Sequence, residues 1–237
     1  MEPLGIISGI IILQQRGIFD NLEEREILTD FGKALVFISD TVAFIPRHGK
    51  DPGHHILPHM INQHANLKAL KDLGIKEVVS INSTGSLKRK LNPGKFVIPD
   101  DFIVFSGTPT TVCGKAVHIT PNLCEDVRQN LIKAAHDCGI DVINGGIYWQ
   151  TTGPRLETKA EIMMMSQYAD LVGMTMASEA VVAQELGLSY ASLCSVDNYG
   201  HGLGEKQLTI DEILMHARRN ADAIIQIVMR YIERRNG

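Results

Sequence analysis

The stretch HMINQHANLKALKDLGIKEVVSINSTGSL, residues 59–87, joins a helical segment (59–73) to a β-rich run (77–82) that ends in small hydroxyl residues and Gly85. The same alternation runs along the chain. β-rich runs at 4–7, 33–39, 41–46, 77–82, 95–99, 101–106, 141–149, 170–174 and 189–196 interleave with helical stretches at 59–73, 121–138, 158–168, 178–187 and 209–234. Strands interleaved with helices predict an α/β fold with a largely parallel or mixed central sheet flanked by helices. No repeat, low-complexity segment or linker interrupts it, so residues 1–237 read as one domain. In such folds ligands gather at the carboxyl ends of strands, which directs attention to the residues just after each run.

Three helix starts carry local signals. Thr158 and Glu161 have the spacing of a capping box, as do Thr209 and Glu212, and Thr120-Pro121 places proline at a first helical position. The three methionines at 163–165 read as core filling.

The bulk composition excludes several classes. With 44% hydrophobic and 21% charged residues and a formal net charge of −4, the chain is ordinary for a soluble globular protein and gives no electrostatic reason to bind nucleic acid. The basic tail RYIERRNG reads as a solvated helix end. No apolar run approaches a membrane span, and MEPLGIISGIIIL reads as a buried strand rather than a leader. Cys113, Cys124, Cys138 and Cys194 are widely spaced with no C-x-x-C, which argues against zinc and disulfides and for a reducing, cytoplasmic setting.

Several strand ends lead into polar residues. Arg47 and His48 follow Pro46, and an arginine fork with an imidazole donor suits an oxyanion. His54, His55 and His59 lie nearby without an H-E-x-x-H, and no metal is expected. SINSTGSL (80–87) is either an anion-binding nest or an ordinary tight turn. VGMTMASEA (172–180) ends a strand at Met174 and Thr175 before a helix, a possible anion-binding start. SVDNYGHGLGEK (195–206) leaves the last strand through Asp197 and Asn198 into a glycine-rich lid or plain connection, with no dinucleotide fingerprint. In TTGPRLETKAEI (151–162), Glu157 either softens a helix dipole or faces something bound.

Taken in order, "RHG…H.I.P…N..AN..AL..LG", "STGSL…L.PG.FVIPDDFI", "TTGPRLETKAE", "GMTMASEA" and "YASLCSVDN" resemble the trimeric purine nucleoside phosphorylase and 5′-methylthioadenosine phosphorylase family over nearly the whole chain. The resemblance implies one α/β domain, a homotrimer or dimer of trimers, inorganic phosphate as co-substrate, and no metal or organic cofactor. It implies phosphorolysis, in which phosphate attacks the anomeric carbon and the purine departs, so that catalysis is positioning and electrostatic stabilisation.

Carried over by position, Arg47, His48, Ser83 and Thr175 look like phosphate contacts, with Asn82 close by. Met174 looks like the residue under the ribose, and Asn198 falls where the family binds the purine N7 edge. Glu157 matches a glutamate that faces the base in the 6-oxopurine branch, so it is expected to read the base. A carboxylate accepts from hypoxanthine N1–H, whereas adenine N1 is itself an acceptor. Ile210, Ile213 and Leu214 fall where the methylthio-cleaving branch has an apolar 5′ pocket, and their spacing puts them on one helix face. Leu156 matches the 5′-methylthioinosine subgroup, and His118 matches a position that reaches a neighbouring subunit's 5′ pocket. The expected substrate is therefore 5′-methylthioinosine, with inosine, guanosine or 5′-methylthioadenosine as alternatives. One motif departs from the family: SGIII (8–12) stands for G-G-[ST]-G-L, placing Ile10 and Ile11 at hydroxyl and glycine positions unless a gap makes Ser8 the phosphate hydroxyl. That departure leaves a nucleoside-binding protein with little activity as a further alternative.

Overall fold

A computed structural model describes residues 2–9, 21–105, 107–204 and 209–236; within these, the side chains of Pro52, Ile210, Glu212 and Asn236 lie outside the described residues. Eleven strands are present among the described residues: β1 (Leu4–Ser8), β2 (Glu23–Thr29), β3 (Gly32–Ile38), β4 (Val42–Pro46), β5 (Glu77–Ser86), β6 (Phe96–Ile98), β7 (Asp101–Val104), β8 (Val142–Asn144), β9 (Ile147–Gln150), β10 (Leu171–Gly173) and β11 (Ser189–Tyr199). The helices are α1 (Gln63–Asp72), α2 (Glu125–Asp137), α3 (Lys159–Met165), α4 (Met176–Glu185) and α5 (Ile210–Asn236).

The sheet is mixed, as the alternation predicts. Its main path runs β2-β3-β4-β1-β5-β10-β9-β7, and it branches at β5, which also pairs with β11. β1 is parallel to both β4 and β5, and β11 is parallel to β5 along its length. The carboxyl ends of β1, β4, β5 and β11 therefore point the same way. Apolar side chains fill both faces. One cluster joins Ile7, Val36, Ile45 and Val78 to Leu67 and Leu70 of α1 and Val182 of α4. The other joins Ile6, Phe44, Val79 and Leu193 to Leu131 of α2 and Ile227 and Tyr231 of α5.

Several boundaries differ from the sequence reading, each for a local reason. β2 was not expected: its sequence EEREILT is mostly exposed and charged, and β3 supplies its pairing. Charged side chains are tolerated there because β2 is an edge strand. The 141–149 run divides into β8 and β9 at Gly145 and Gly146, whose φ of 95° and 117° interrupt the strand. The 80–87 segment is neither nest nor turn, since β5 continues to Ser86 under pairing from β11.

Thr120-Pro121 does not start a helix; α2 begins at Glu125 after Cys124, which gives no side-chain cap. The 59–73 stretch opens with a 3-10 turn, Pro58–Met60, before α1 is capped by Asn62. Thr158 and Glu161 do form the expected capping box, Thr158 Oγ1 accepting from Glu161 N (3.2 Å) and Glu161 Oε2 from Thr158 N (2.7 Å). The second expected box involves the Glu212 side chain, outside the described residues. Only Met165 of the three methionines is core; Met163 and Met164 are exposed because they fall on the outer side of α3. The basic tail is more tied down than a solvated end: Arg230 and Arg234 both pair with Asp137, and Arg235 with Glu77. No described helix is long and apolar enough to cross a membrane.

Candidate active site

Strand register brings the polar residues together. Ser8 ends β1 opposite Pro46, so Arg47 emerges beside it, and the Arg47 amide donates to the Ser8 carbonyl at 2.9 Å. Ser195 of β11 lies opposite Ser83 of β5, which carries Asn198 to the same end. Two adjoining cavities open there. One, of about 180 Å³, is lined by Arg47, His48, Ser83, Gly85, Leu156, Glu157, Val172, Met174, Thr175, Asn198 and Ile213. The other, of about 200 Å³, shares Arg47, His48, Ser83 and Ile213 and adds Ser8, Asp197 and Leu214.

Arg47 is almost entirely engaged by the protein. Its Nε donates to Glu179 Oε1 (2.7 Å), Nη1 to the Ile81 carbonyl (2.6 Å), and Nη2 to Ser80 Oγ (2.7 Å), Glu179 Oε2 (3.0 Å) and the Ile7 carbonyl (3.2 Å). A guanidinium has five N–H groups, so one on Nη1 has no partner among the described residues. Burial opposes its charge, but Glu179 outweighs burial and raises the guanidinium above the ordinary arginine value.

His48 differs from the sequence reading. Its Nδ1 lies 2.8 Å from the Ile56 carbonyl, which requires the proton on Nδ1. Burial first, then the Arg47 charge, lowers its pKa to about 4. The ring is therefore neutral at pH 7 and its Nε2 presents a lone pair, an acceptor rather than the expected donor. His55 stacks on it at 4.4 Å between centroids, while His54 pairs with Asp51.

Asn82 is not brought to either cavity. Successive strand side chains alternate between faces, so Ser83 opens to the cavities and Asn82 is sealed beneath. There Asn82 Oδ1 accepts from Ser192 Oγ (2.7 Å) and Nδ2 donates to Thr175 Oγ1 (2.8 Å). With its oxygen already accepting, Thr175 has no acceptor for its hydroxyl proton among the described residues. It precedes α4 as the N-cap and makes no side-chain cap bond.

The same cavity as Thr175 is lined by Glu157 and Asn198. Glu157 is 8% exposed, and its Oε1 accepts from Thr151 Oγ1 at 2.7 Å. Its neighbour Arg155 turns outward to Glu161. Asn198 donates Nδ2 to the Tyr199 carbonyl (2.9 Å) and lies over Gly85, where a Cβ would come within 3.0 Å of its amide nitrogen. Gly153, at φ 68°, leaves room for Met174, whose sulfur would be 2.6 Å from a Cβ there.

Ile213 lines both cavities and Leu214 one, as the helix-face spacing predicts. The Ile210 side chain, Ile10 and Ile11 lie outside the described residues. His118 is exposed and lines none of these cavities. Sequence reasoning missed Glu179, although one carboxylate inside the apolar run MASEAVVA was a signal that it is buried and paired.

The phosphorylase superfamily model matches residues 13–233. The chain belongs to that superfamily. This phosphorylase is 42% identical over 230 residues to a probable 6-oxopurine nucleoside phosphorylase from Archaeoglobus fulgidus, covering 95% of this chain and 93% of the relative. It is 40% identical over 236 residues to a probable S-methyl-5′-thioinosine phosphorylase from Methanocaldococcus jannaschii, covering 97% and 91%. Among solved structures, methylthioadenosine phosphorylase from Schistosoma mansoni in complex with adenine superposes with a TM-score of 0.85 at 28% identity, covering 98% of this chain and 91% of that one.

Proposed function

We propose that this phosphorylase cleaves a 6-oxopurine nucleoside, 5′-methylthioinosine above others, to the free base and 5-methylthioribose 1-phosphate. One observation carries the reading: Glu157 and Asn198 share a single cavity with Ser83, Thr175 and the remaining Arg47 N–H. In this reading the base-reading carboxylate and the anion site belong to one cavity, with the ribose bound between them. Ile213 and Leu214 supply apolar contact for a 5′-methylthio group.

In this reading phosphate is held by Ser83, Thr175, Arg47 and Ser8, beneath the anomeric carbon. A phosphate oxygen forms the new bond as the glycosidic C–N bond breaks, and the electron pair leaves on the purine. Glu157 accepts N1–H and Asn198 binds the N7 edge, stabilising the departing base. Nothing in this sequence of events calls for a metal or organic cofactor.

The names of the relatives support both the 6-oxopurine base and the methylthio group. We further propose a homotrimer, in which the exposed Met60, Phe105 and Val117 become covered and His118 approaches a neighbour's 5′ pocket. Base release from methylthioinosine, inosine and methylthioadenosine, with and without phosphate, tests the function. Faster cleavage of methylthioadenosine under matched conditions would overturn the base assignment, and light scattering tests the trimer.

A further inference from the structure

Asp197 lines the site, and the proposed reaction gives it no task. The register between β11 and β5 shifts between Val196 and Asn198, so Asp197 occupies a bulge. Bulges beside active sites re-aim a side chain. Here the carboxyl turns under the strand towards α5, fully removed from solvent. Its Oδ1 accepts from Ser195 Oγ and from Asn220 Nδ2, the latter at 2.9 Å. Its Oδ2 is buried and has no hydrogen-bond partner among the described residues.

A buried carboxylate oxygen without a donor is costly, so its surroundings indicate what it is for. Asp197 stands in the wall of the cavity that also contains Ser8, Arg47, His48 and Ser83. Ser83 is exposed to that cavity. Its hydroxyl is near enough to favour the charged form of Asp197, although no hydrogen bond to Oδ2 is made in this conformation. On the far side, Arg89, His216 and Arg219 line a larger cavity of about 530 Å³ that Asp197 also borders. Burial pushes the Asp197 carboxyl up from the ordinary aspartate range, while Ser195, Ser83, Asn220 and His216 act against that rise.

The remaining polar groups show which anion the cavity suits. Arg47 is neutralised by Glu179, and the neutral His48 offers a lone pair. No described lining group of this cavity is an uncompensated cation. The set contains acceptors as well as donors, which suits an anion that still carries a proton. Inorganic phosphate at neutral pH does; sulfate does not.

We infer that Asp197 is a positioning residue that turns the Ser83 hydroxyl towards itself, so that Ser83 accepts the P–OH of hydrogen phosphate and the site discriminates against sulfate. The relay runs from the phosphate hydroxyl to Ser83 Oγ, and from the Ser83 proton to Asp197 Oδ2. It rests on the phosphate reading of this cavity given above.

Asp197→Asn tests it, because the amide can keep Oδ1 as an acceptor while placing a donor where Oδ2 was. The amide then donates to Ser83, whose own proton must point at the anion. Calorimetric titration with phosphate and with sulfate at neutral pH reads the effect without any nucleoside. The wild-type protein is expected to bind sulfate at least about tenfold more weakly than phosphate, the scale of one hydrogen bond to a charged group. Asp197→Asn should shrink that ratio by about tenfold, and Ser83→Ala should remove the difference between the Asp197 and Asn backgrounds.

An unchanged ratio in an Asp197→Asn protein that melts like wild type overturns the inference. So does an Asp197 effect that persists with Ser83→Ala. Should Asp197→Asn fail to fold, the exposed Ser83→Ala decides alone, since it must also lower the ratio. A parallel methylthioinosine assay separates the two readings. Turnover without anion discrimination sinks only the relay, whereas discrimination without turnover of any nucleoside sinks the proposed reaction.

Discussion

Arg47 and Glu179 meet through two hydrogen bonds, Nε to Oε1 at 2.7 Å and Nη2 to Oε2 at 3.0 Å, with side chains only 3% and 0% exposed. Tyr190 Oη adds a third donor to the carboxylate at 2.8 Å. The arginine therefore borders the cavities as part of a neutral, rigid unit.

Removing one partner leaves a buried charge alone. Arg47→Ala and Glu179→Gln are each expected to lose about 3–5 kcal/mol of stability, read by urea unfolding. Where folded Arg47→Ala can be assayed, phosphate KM should rise at least about tenfold with nucleoside KM little changed. The double change Arg47→Met, Glu179→Leu should recover much of the stability but not the phosphate affinity. A double variant no more stable than either single would show that the ion pair does not set the cost.

The depressed pKa of His48 predicts a pH dependence of stability. Its folded value of about 4 lies below the ordinary 6.5, so the unfolded chain binds the extra proton first as pH falls. The contribution is present above about pH 6.5 and is lost progressively towards pH 4, with an upper bound of about 3 kcal/mol. Unfolding free energies at pH 7 and pH 4.5 should differ less in His48→Gln than in wild type. Equal differences would place the pH dependence elsewhere.

Glu157→Gln replaces an acceptor with an amide that can also donate. Its kcat/KM for methylthioinosine should fall by about 10- to 100-fold, and for methylthioadenosine by much less. Parallel losses on both nucleosides would mean that Glu157 holds the loop through Thr151 instead of reading the base.

Ile213→Ser puts a hydroxyl into the apolar side of the cavities. It should cost the methylthio substrate about 1–2 kcal/mol relative to inosine, seen as a changed ratio of kcat/KM. A constant ratio would assign Ile213 to packing alone.

The alternation of strands and helices was legible because most β runs are buried on both faces and read as apolar blocks. β2 was not legible, since an edge strand of mixed charges takes its conformation from its neighbour β3. Arg47 stood out through its position after a strand, Glu157 through the loop that enters a capped helix, and Asn198 through the polar end of the last β run, which the structure extends to Tyr199. The roles of Asn82 and His48 did not, because each depends on a partner distant in sequence or on a carbonyl: Asn82 on Ser192 and Thr175, His48 on Ile56. Residue type gives the functional groups, but only the fold decides which of them remain unspent.

The branching of the sheet at β5 has a geometric consequence. Ser83, a proposed anion contact, and Gly85, beneath the proposed base contact Asn198, are two residues apart on one strand. Their separation is set by the rise of an extended chain, roughly 7 Å. Under the proposed assignment, attacking and departing groups are gauged by a single covalent ruler rather than by the closing of two bodies. Repacking of the surrounding helices can change how firmly each end grips while leaving the interval between them unaltered.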